Sequence, residues 1–264
     1  MKIGFIGLGN MAKAVIDGLL KSEMAASENI LGSAKTMATR RAVSEKYQML
    51  TNLTNGEVAQ FSETIILAVK PQFLEAVLQE IYPFVTADKL IISMAAGKSL
   101  HWLEERLPEN TRLMRIMPNT AAMVGASCTA ICKGSLATAE DADWTTRMCQ
   151  SFGEAQMIPE NLMDAFGAIG GSSGAFAFLY MEALADGAVA AGMPRRMAYE
   201  IAAQSTMGAA KLMKETGENP SVLKDMVCSP GGTTIQGILA LERGGVRGSV
   251  MNAVEACVAK SRKL

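Results

Sequence analysis

Lys2-Ile3-Gly4-Phe5-Ile6-Gly7-Leu8-Gly9-Asn10-Met11-Ala12 is the stretch on which the fold turns. Residues 2–6 form a short apolar strand, and Gly7-x-Gly9-x-x-Ala12 then opens a helix in which Ala12, Val15, Ile16, Leu19 and Leu20 recur at i, i+3, i+4, i+7 and i+8. A strand that turns on glycines into a one-sided helix is the first half of a βαβ unit. Gly7 permits the tight turn, Gly9 lets the backbone approach a pyrophosphate, and Ala12 allows close helix–sheet packing. The phosphates of a dinucleotide would then sit on the helix N-terminus, where unpaired N–H groups favour an anion.

Outward from this turn the same rhythm continues to about residue 159. Apolar runs at 29–32, 64–68, 90–93 and 113–117 alternate with helical patterns, which predicts a Rossmann-type, mostly parallel sheet. Runs at 127–131 and 155–158 flank a charged helix over 139–152 and extend the sheet at an edge. After Pro159 the strand rhythm stops, and helices are predicted over 161–191, 194–215, 221–227, 233–242 and 247–263. The expected organisation is therefore a dinucleotide-binding domain over 1–159 and an all-helical substrate and dimerisation domain over 160–264.

The end of the second strand bears on which dinucleotide is bound. An NAD enzyme usually carries Asp or Glu there for the ribose 2′-hydroxyl. This chain reads Leu31-Gly32-Ser33-Ala34-Lys35, with Arg40-Arg41 following, so the acid is missing and cations are near. A 2′-phosphate would be stabilised by such donors, which favours NADPH and leaves NADH possible; Arg41 alone reads better as a solvated helix residue. Two further loops lie at carboxyl ends of predicted strands: Ala68-Val69-Lys70-Pro71 and Ala95-Ala96-Gly97. Small residues there let a cofactor lie against backbone and Pro71 starts the next helix, while Lys70 fits either a phosphate contact or an ordinary exposed lysine.

Composition closes off other chemistries. Twenty-five Lys and Arg against 26 Asp and Glu leave a net charge of −1, which argues against nucleic acid or anionic membrane as a partner. The single histidine, His101, would have to carry any Ser-His-Asp or His-ligated metal chemistry alone, and it sits beside Leu100, Leu103 and Leu107, which already form that helix's apolar stripe. Five cysteines without a Cys-x-x-Cys pair, and an N-terminus too broken by glycine for a secretory signal, point to a reduced, cytoplasmic protein with no metal site. The uncharged run 165–181 is short for a membrane span and rich in Gly and Ser. Its parent helix, 161–191, is apolar nearly all round and must be buried on every side, which a helical domain of this size achieves best by pairing with a second copy.

In the helical half, Cys228-Ser229-Pro230-Gly231-Gly232-Thr233-Thr234 is a glycine-rich loop running into a helix. Its backbone amides could receive a carboxylate, or Ser229 or Thr233 could simply cap the helix.

As a set these residues resemble the pyrroline-5-carboxylate reductase family. The resemblance spans the chain: Gly-Phe-Ile-Gly-Leu-Gly-Asn-Met-Ala at 4–12, Leu-Ala-Val-Lys-Pro at 67–71, Ala-Ala-Gly at 95–97, Met-Pro-Asn-Thr at 117–120, Glu-Ala-Leu-Ala-Asp-Gly at 182–187, Ser-Pro-Gly-Gly-Thr-Thr at 229–234 and Asn-Ala-Val-Glu-Ala at 252–256. It implies NAD(P)H-dependent reduction of 1-pyrroline-5-carboxylate to L-proline, the last step of proline biosynthesis, by a homo-oligomer that is at least a dimer through its C-terminal helices. By position it assigns Gly7, Gly9, Asn10 and Met11 to the pyrophosphate, Ser33 and Asn55 to the adenosine ribose region, and Ala68, Val69, Lys70, Pro71, Ala95, Ala96 and Gly97 to the rest of the cofactor. Ser229, Gly231, Gly232 and Thr233 would hold the substrate carboxylate, and Thr234 would hydrogen-bond the imine nitrogen. The chain departs from the family pattern at Ala121, usually Pro, at Gly170-Gly171-Ser172-Ser173-Gly174-Ala175-Phe176, usually Ser-Gly-Ser-Gly-Pro-Ala-Tyr, and at Cys228, where Ser is common. These changes bear on the wall of the site and on substrate preference.

Two other readings compete. A β-hydroxyacid-dehydrogenase-type enzyme shares the two-domain plan but needs a lysine on the long helix, and there is none between Ala165 and Met193. A non-catalytic NADP-binding module would have no use for the 229–234 loop.

Overall fold

A computed structural model describes residues 1–263. The chain forms two compact units. One comprises residues 1–171 together with the C-terminal residues from Cys257 onward; the other is Ser172–Ala256. The division by packing falls about a dozen residues beyond the compositional change at Pro159.

The first unit is built on seven strands: β1 (Ile3–Ile6), β2 (Ile30–Ser33), β3 (Thr64–Leu67), β4 (Leu90–Ser93), β5 (Arg112–Met117), β6 (Ser127–Lys133) and β7 (Gly153–Met157). Their order is β2-β1-β3-β4-β5-β6-β7, and every neighbouring pair is parallel except β5 with β6. The predicted mostly parallel sheet is thus observed, with strand ends within a residue or two of the expected ones.

β1 to β4 are buried along their whole length, and successive residues feed opposite faces. Phe5, Ile66, Ile92 and Met114 pack under α1 (Asn10–Lys21), α2 (Met37–Tyr47) and the later charged helix. Ile6, Ile65, Ile91 and Leu113 pack under α3 (Asn55–Phe61), α4 (Pro71–Ile81) and α5 (Leu100–Glu104). The charged helix, α6 (Ala139–Gln150), turns Met148 and Cys149 inward; the short α7 (Met163–Phe166) follows β7. Because β2 lies on one side of β1 and β3 on the other, the connections diverge there and leave a crevice at the carboxyl ends of these strands.

The helix expected without interruption over 161–191 is broken. After α7, residues Gly167–Ser172 form a π-helical turn, and only then does α8 (Ser173–Ala190) begin. Gly170 and Gly171 weaken the regular helix at this point, and the Asn119 side-chain amide donates to the Gly170 carbonyl at 2.7 Å, so a side chain from the end of β5 fixes the turn. The same Asn119 accepts from the Ala121 amide at 3.2 Å, a bond that a proline at 121 could not make.

The second unit consists of α8, α9 (Arg195–Thr216), α10 (Pro220–Met226), α11 (Thr233–Arg243) and most of α12 (Val246–Ser261). Among its described residues the buried side chains are three alanines, Ala185, Ala198 and Ala202. Phe178 and Leu179 are 69% and 67% exposed. A single chain thus leaves this apolar helix uncovered, in line with the reading that a helical domain of this size cannot bury it alone. By length and composition alone the stretch Glu160–Ala190 could cross a membrane, so its exposed apolar surface demands a cover of some kind.

Candidate active site

The crevice at the β1/β3 switch holds a cavity of about 770 Å³. Gly7, Gly9, Asn10, Ser33, Lys35, Asn55, Ala68, Val69 and Lys70, all expected from the sequence, line it. Gly7 has φ +96°, and a Cβ there would lie 2.6 Å from the Ala68 carbonyl oxygen, so the turn packs directly on the loop after β3. Gly9 is the N-cap of α1 and has no side chain with which to cap it; a Cβ at Gly9 would meet nothing within 4 Å. The first-turn amides of α1 thus face an open cradle that a side chain would fill, which fits a pyrophosphate.

At the adenosine end, the buried Ser33 hydroxyl donates to Asn55 Oδ1 at 2.6 Å, and Asn55 Nδ2 donates to Glu80 Oε2, also at 2.6 Å. Thr54 caps α3 in a reciprocal capping box with Glu57, which fixes where Asn55 begins that helix. Arg40 Nε donates to the Ala34 carbonyl at 2.6 Å, holding the chain just after β2, and Lys35 Nζ lies 5.6 Å from the centre of the Phe73 ring. Lys13, Lys35, Arg40 and Lys70 surround the cavity, and Glu80 is the acid among its described lining residues, so the cavity favours anions. Arg41 points elsewhere and pairs with Glu45 at 2.8 Å.

Not every expected residue joins this cavity. Met11 packs onto the core beneath α1, Pro71 is the first residue of α4, Ala95 is buried in the core beside that sheet face, and Ala96 is exposed. Gly97, with φ +72°, lines a separate cavity of about 400 Å³ together with Arg115, Glu160 and Asp164. There the buried Arg115 donates to Glu160 Oε1 at 2.7 Å, the same oxygen that accepts the Leu100 amide at 2.7 Å. Sequence reading missed Thr36, Thr39, Phe73 and Glu80 as lining residues. Thr36, the N-cap of α2, carried a signal of its type; Glu80, on α4, carried none.

In the second unit, Gly231 has φ +71° and Gly232 is the N-cap of α11, again with no side chain to cap it. The Gly232 amide donates to the Ser229 carbonyl at 3.0 Å, closing the turn. Ser229 and Thr233 therefore do not act as the N-cap, and Thr233 and Thr234 are exposed in the first turn. The loop is shaped like an anion cradle.

His101 is exposed, with Nε2 3.3 Å from Glu105, while Leu100, Leu103 and Leu107 are buried as the stripe predicted. Burial pushes the Cys132 thiol up to about 11, with the Glu160 charge adding to it, and burial alone pushes Cys149 up as well. Neither is a ready nucleophile.

Sheet order, glycine turn and switch-point cavity define a Rossmann-type oxidoreductase with a helical C-terminal half. Residues 2–97 match the family model "NADP oxidoreductase coenzyme F420-dependent", and residues 160–264 match "Pyrroline-5-carboxylate reductase dimerisation". The chain is 42% identical over 263 residues to the pyrroline-5-carboxylate reductase of Escherichia coli, covering 100% of this chain and 98% of that one. It is 43% identical to that of Methanosarcina acetivorans over 100% and 97%. Among solved structures, the Plasmodium falciparum pyrroline carboxylate reductase with NADP bound superposes with a TM-score of 0.88 at 30% identity, covering 100% and 97% of the two chains. The chain belongs to the pyrroline-5-carboxylate reductase family.

Proposed function

We propose that this protein reduces 1-pyrroline-5-carboxylate to L-proline with NADPH, accepting NADH as an alternative donor, as the last step of proline biosynthesis. The observation that carries this is the pair of glycine-opened, side-chain-free helix starts, Gly9 before α1 and Gly231-Gly232 before α11. The first lines a dinucleotide-sized cavity; the second is a cradle for a small carboxylate.

The reduced nicotinamide, when bound, supplies the hydride. Gly7, Gly9 and Asn10 hold the pyrophosphate on the α1 amides, Ser33 and Asn55 hold the adenosine ribose, and Lys35 lies toward its 2′-phosphate. Ala68, Val69 and Lys70 line the nicotinamide-ward side of the cavity, with Met11, Pro71, Ala95, Ala96 and Gly97 shaping the loops behind. Ser229 and the amides of Gly231, Gly232 and Thr233 fix the substrate carboxylate. The Thr234 hydroxyl accepts from the protonated imine nitrogen and orients the adjacent carbon, so that a strong general acid is unnecessary. Lys13, Lys35, Arg40 and Lys70 draw the anionic cofactor in.

The exposed apolar surface of α8 and α9 supports a homodimer through the C-terminal helices. The near-zero net charge supports the absence of nucleic acid or anionic membrane as partner, and cysteines that form no disulfide among the described residues support a cytoplasmic setting. Purified protein supplied with 1-pyrroline-5-carboxylate should oxidise NADPH and yield proline in equal amount. Protein that binds NADPH yet leaves the imine untouched would refute the assignment.

A further inference from the structure

We propose that Glu80 sets the balance between the two nicotinamide cofactors by fixing the hydrogen-bond polarity of the Ser33–Asn55 pair; this rests on the cofactor reading above. Ser33 ends β2, where folds of this kind hold the adenosine ribose. Its hydroxyl donates to Asn55 Oδ1, and Asn55 Nδ2 donates to Glu80 Oε2. All three residues line the cavity.

The chain of bonds has one direction because a carboxylate can only accept. Glu80 therefore obliges Asn55 to turn its NH2 toward α4, which leaves the amide oxygen for Ser33. Ser33 has one proton, and it is committed to that oxygen. What Ser33 offers the cavity is lone pairs alone. These accept a bond from a ribose 2′-hydroxyl and cannot donate one to a 2′-phosphate. The Glu80 charge biases the site in the same sense. Lys35 and Arg40, on the same rim, act in the opposite sense. The acid missing from the end of β2 is thus supplied by α4, and the two opposed sets of groups leave a site that takes both cofactors.

Glu80→Gln tests this, because a glutamine amide can accept from or donate to Asn55, which frees Asn55 to turn over and Ser33 to donate outward. Dissociation constants of NADP⁺ and NAD⁺ are measured by calorimetry on the full-length protein and the variant. The ratio should move about tenfold toward NADP⁺, the scale of one hydrogen bond to a charged group. Glu80→Ala, at an exposed position on α4, should move it the same way. Adding Ser33→Ala should abolish the gain. An unchanged ratio, equal weakening of both nucleotides, or a gain that survives Ser33→Ala would each overturn the proposal while leaving the cofactor reading intact. Unaltered protein that binds neither nucleotide would overturn both.

Discussion

Gly9→Ala and Gly7→Ala, two residues apart in one turn, should fail in different ways. At Gly9 the backbone has φ −74° and ψ −175°, an extended conformation open to any residue, and a Cβ would meet nothing within 4 Å. Exchanging Gly for Ala at an N-cap costs at most about 1 kcal/mol, roughly 2–4 °C in Tm for a unit of this size. The added methyl group projects into the cradle at the head of α1, where the pyrophosphate would lie against backbone, so NADPH affinity should fall by about 1.5–3 kcal/mol, roughly 10- to 150-fold. At Gly7 the φ of +96° is strained for alanine by about 1–2 kcal/mol, and the Cβ would sit 2.6 Å from the Ala68 carbonyl oxygen. Overpacking against backbone adds about 1–3 kcal/mol, so Gly7→Ala should lose roughly 2–5 kcal/mol and melt many degrees lower. Calorimetric titration with NADPH and thermal denaturation of both variants separate the effects. If Gly9→Ala binds NADPH like the unaltered protein, or unfolds as early as Gly7→Ala, the cradle is a structural turn and not a phosphate site.

Thr234→Ala should lower kcat/KM for the imine by about 1–3 kcal/mol, roughly 5- to 150-fold, with NADPH binding unchanged, which steady-state rates and titration together check. Lys35→Glu should raise KM for NADPH more than for NADH; equal effects would remove Lys35 from the 2′-phosphate site. Glu160→Gln leaves Arg115, only 6% exposed, without its carboxylate, and should cost about 1–3 kcal/mol in denaturant unfolding, discounted for the 30% exposure of Glu160. Cys132 and Cys149 should stay unlabelled by a thiol reagent until denaturant is added. Because burial raises the Cys132 pKa from its ordinary 9.0 to about 11, the folded state holds that proton longer than the unfolded chain; stability is fully present below about pH 9 and falls as pH rises through 11, which melts at stepped alkaline pH would reveal.

The first unit was legible because its signals are local. Residues buried on both sheet faces read as unbroken apolar runs, and Gly7 and Gly9 carry conformational demands visible one residue at a time. Gaps opened where long-range contacts decide. The π turn at Gly167–Ser172 depends on Asn119, about fifty residues earlier, closing onto Gly170. Glu80 lines the cavity at the β1/β3 switch only because α3 and α4 bring it to Asn55, so no strand-end motif announces it. Gly97 follows β4 as expected, and that its loop also lines the Arg115–Glu160 cavity depends on contacts about sixty residues further along the chain. The apolar helix reads as one that needs a cover, but a periodicity argument cannot say what covers it; in one chain Phe178 and Leu179 stay exposed.

The most direct measurement is a single progress curve: purified protein, NADPH and 1-pyrroline-5-carboxylate, with reduced nicotinamide followed by absorbance and proline quantified at the end. One proline formed per NADPH consumed, at a rate that Thr234→Ala lowers roughly 5- to 150-fold under the same conditions, is the expected result. NADPH binding without imine-dependent oxidation, or oxidation that Thr234→Ala leaves unchanged, would contradict the proposal that these two glycine-opened helix starts serve imine reduction.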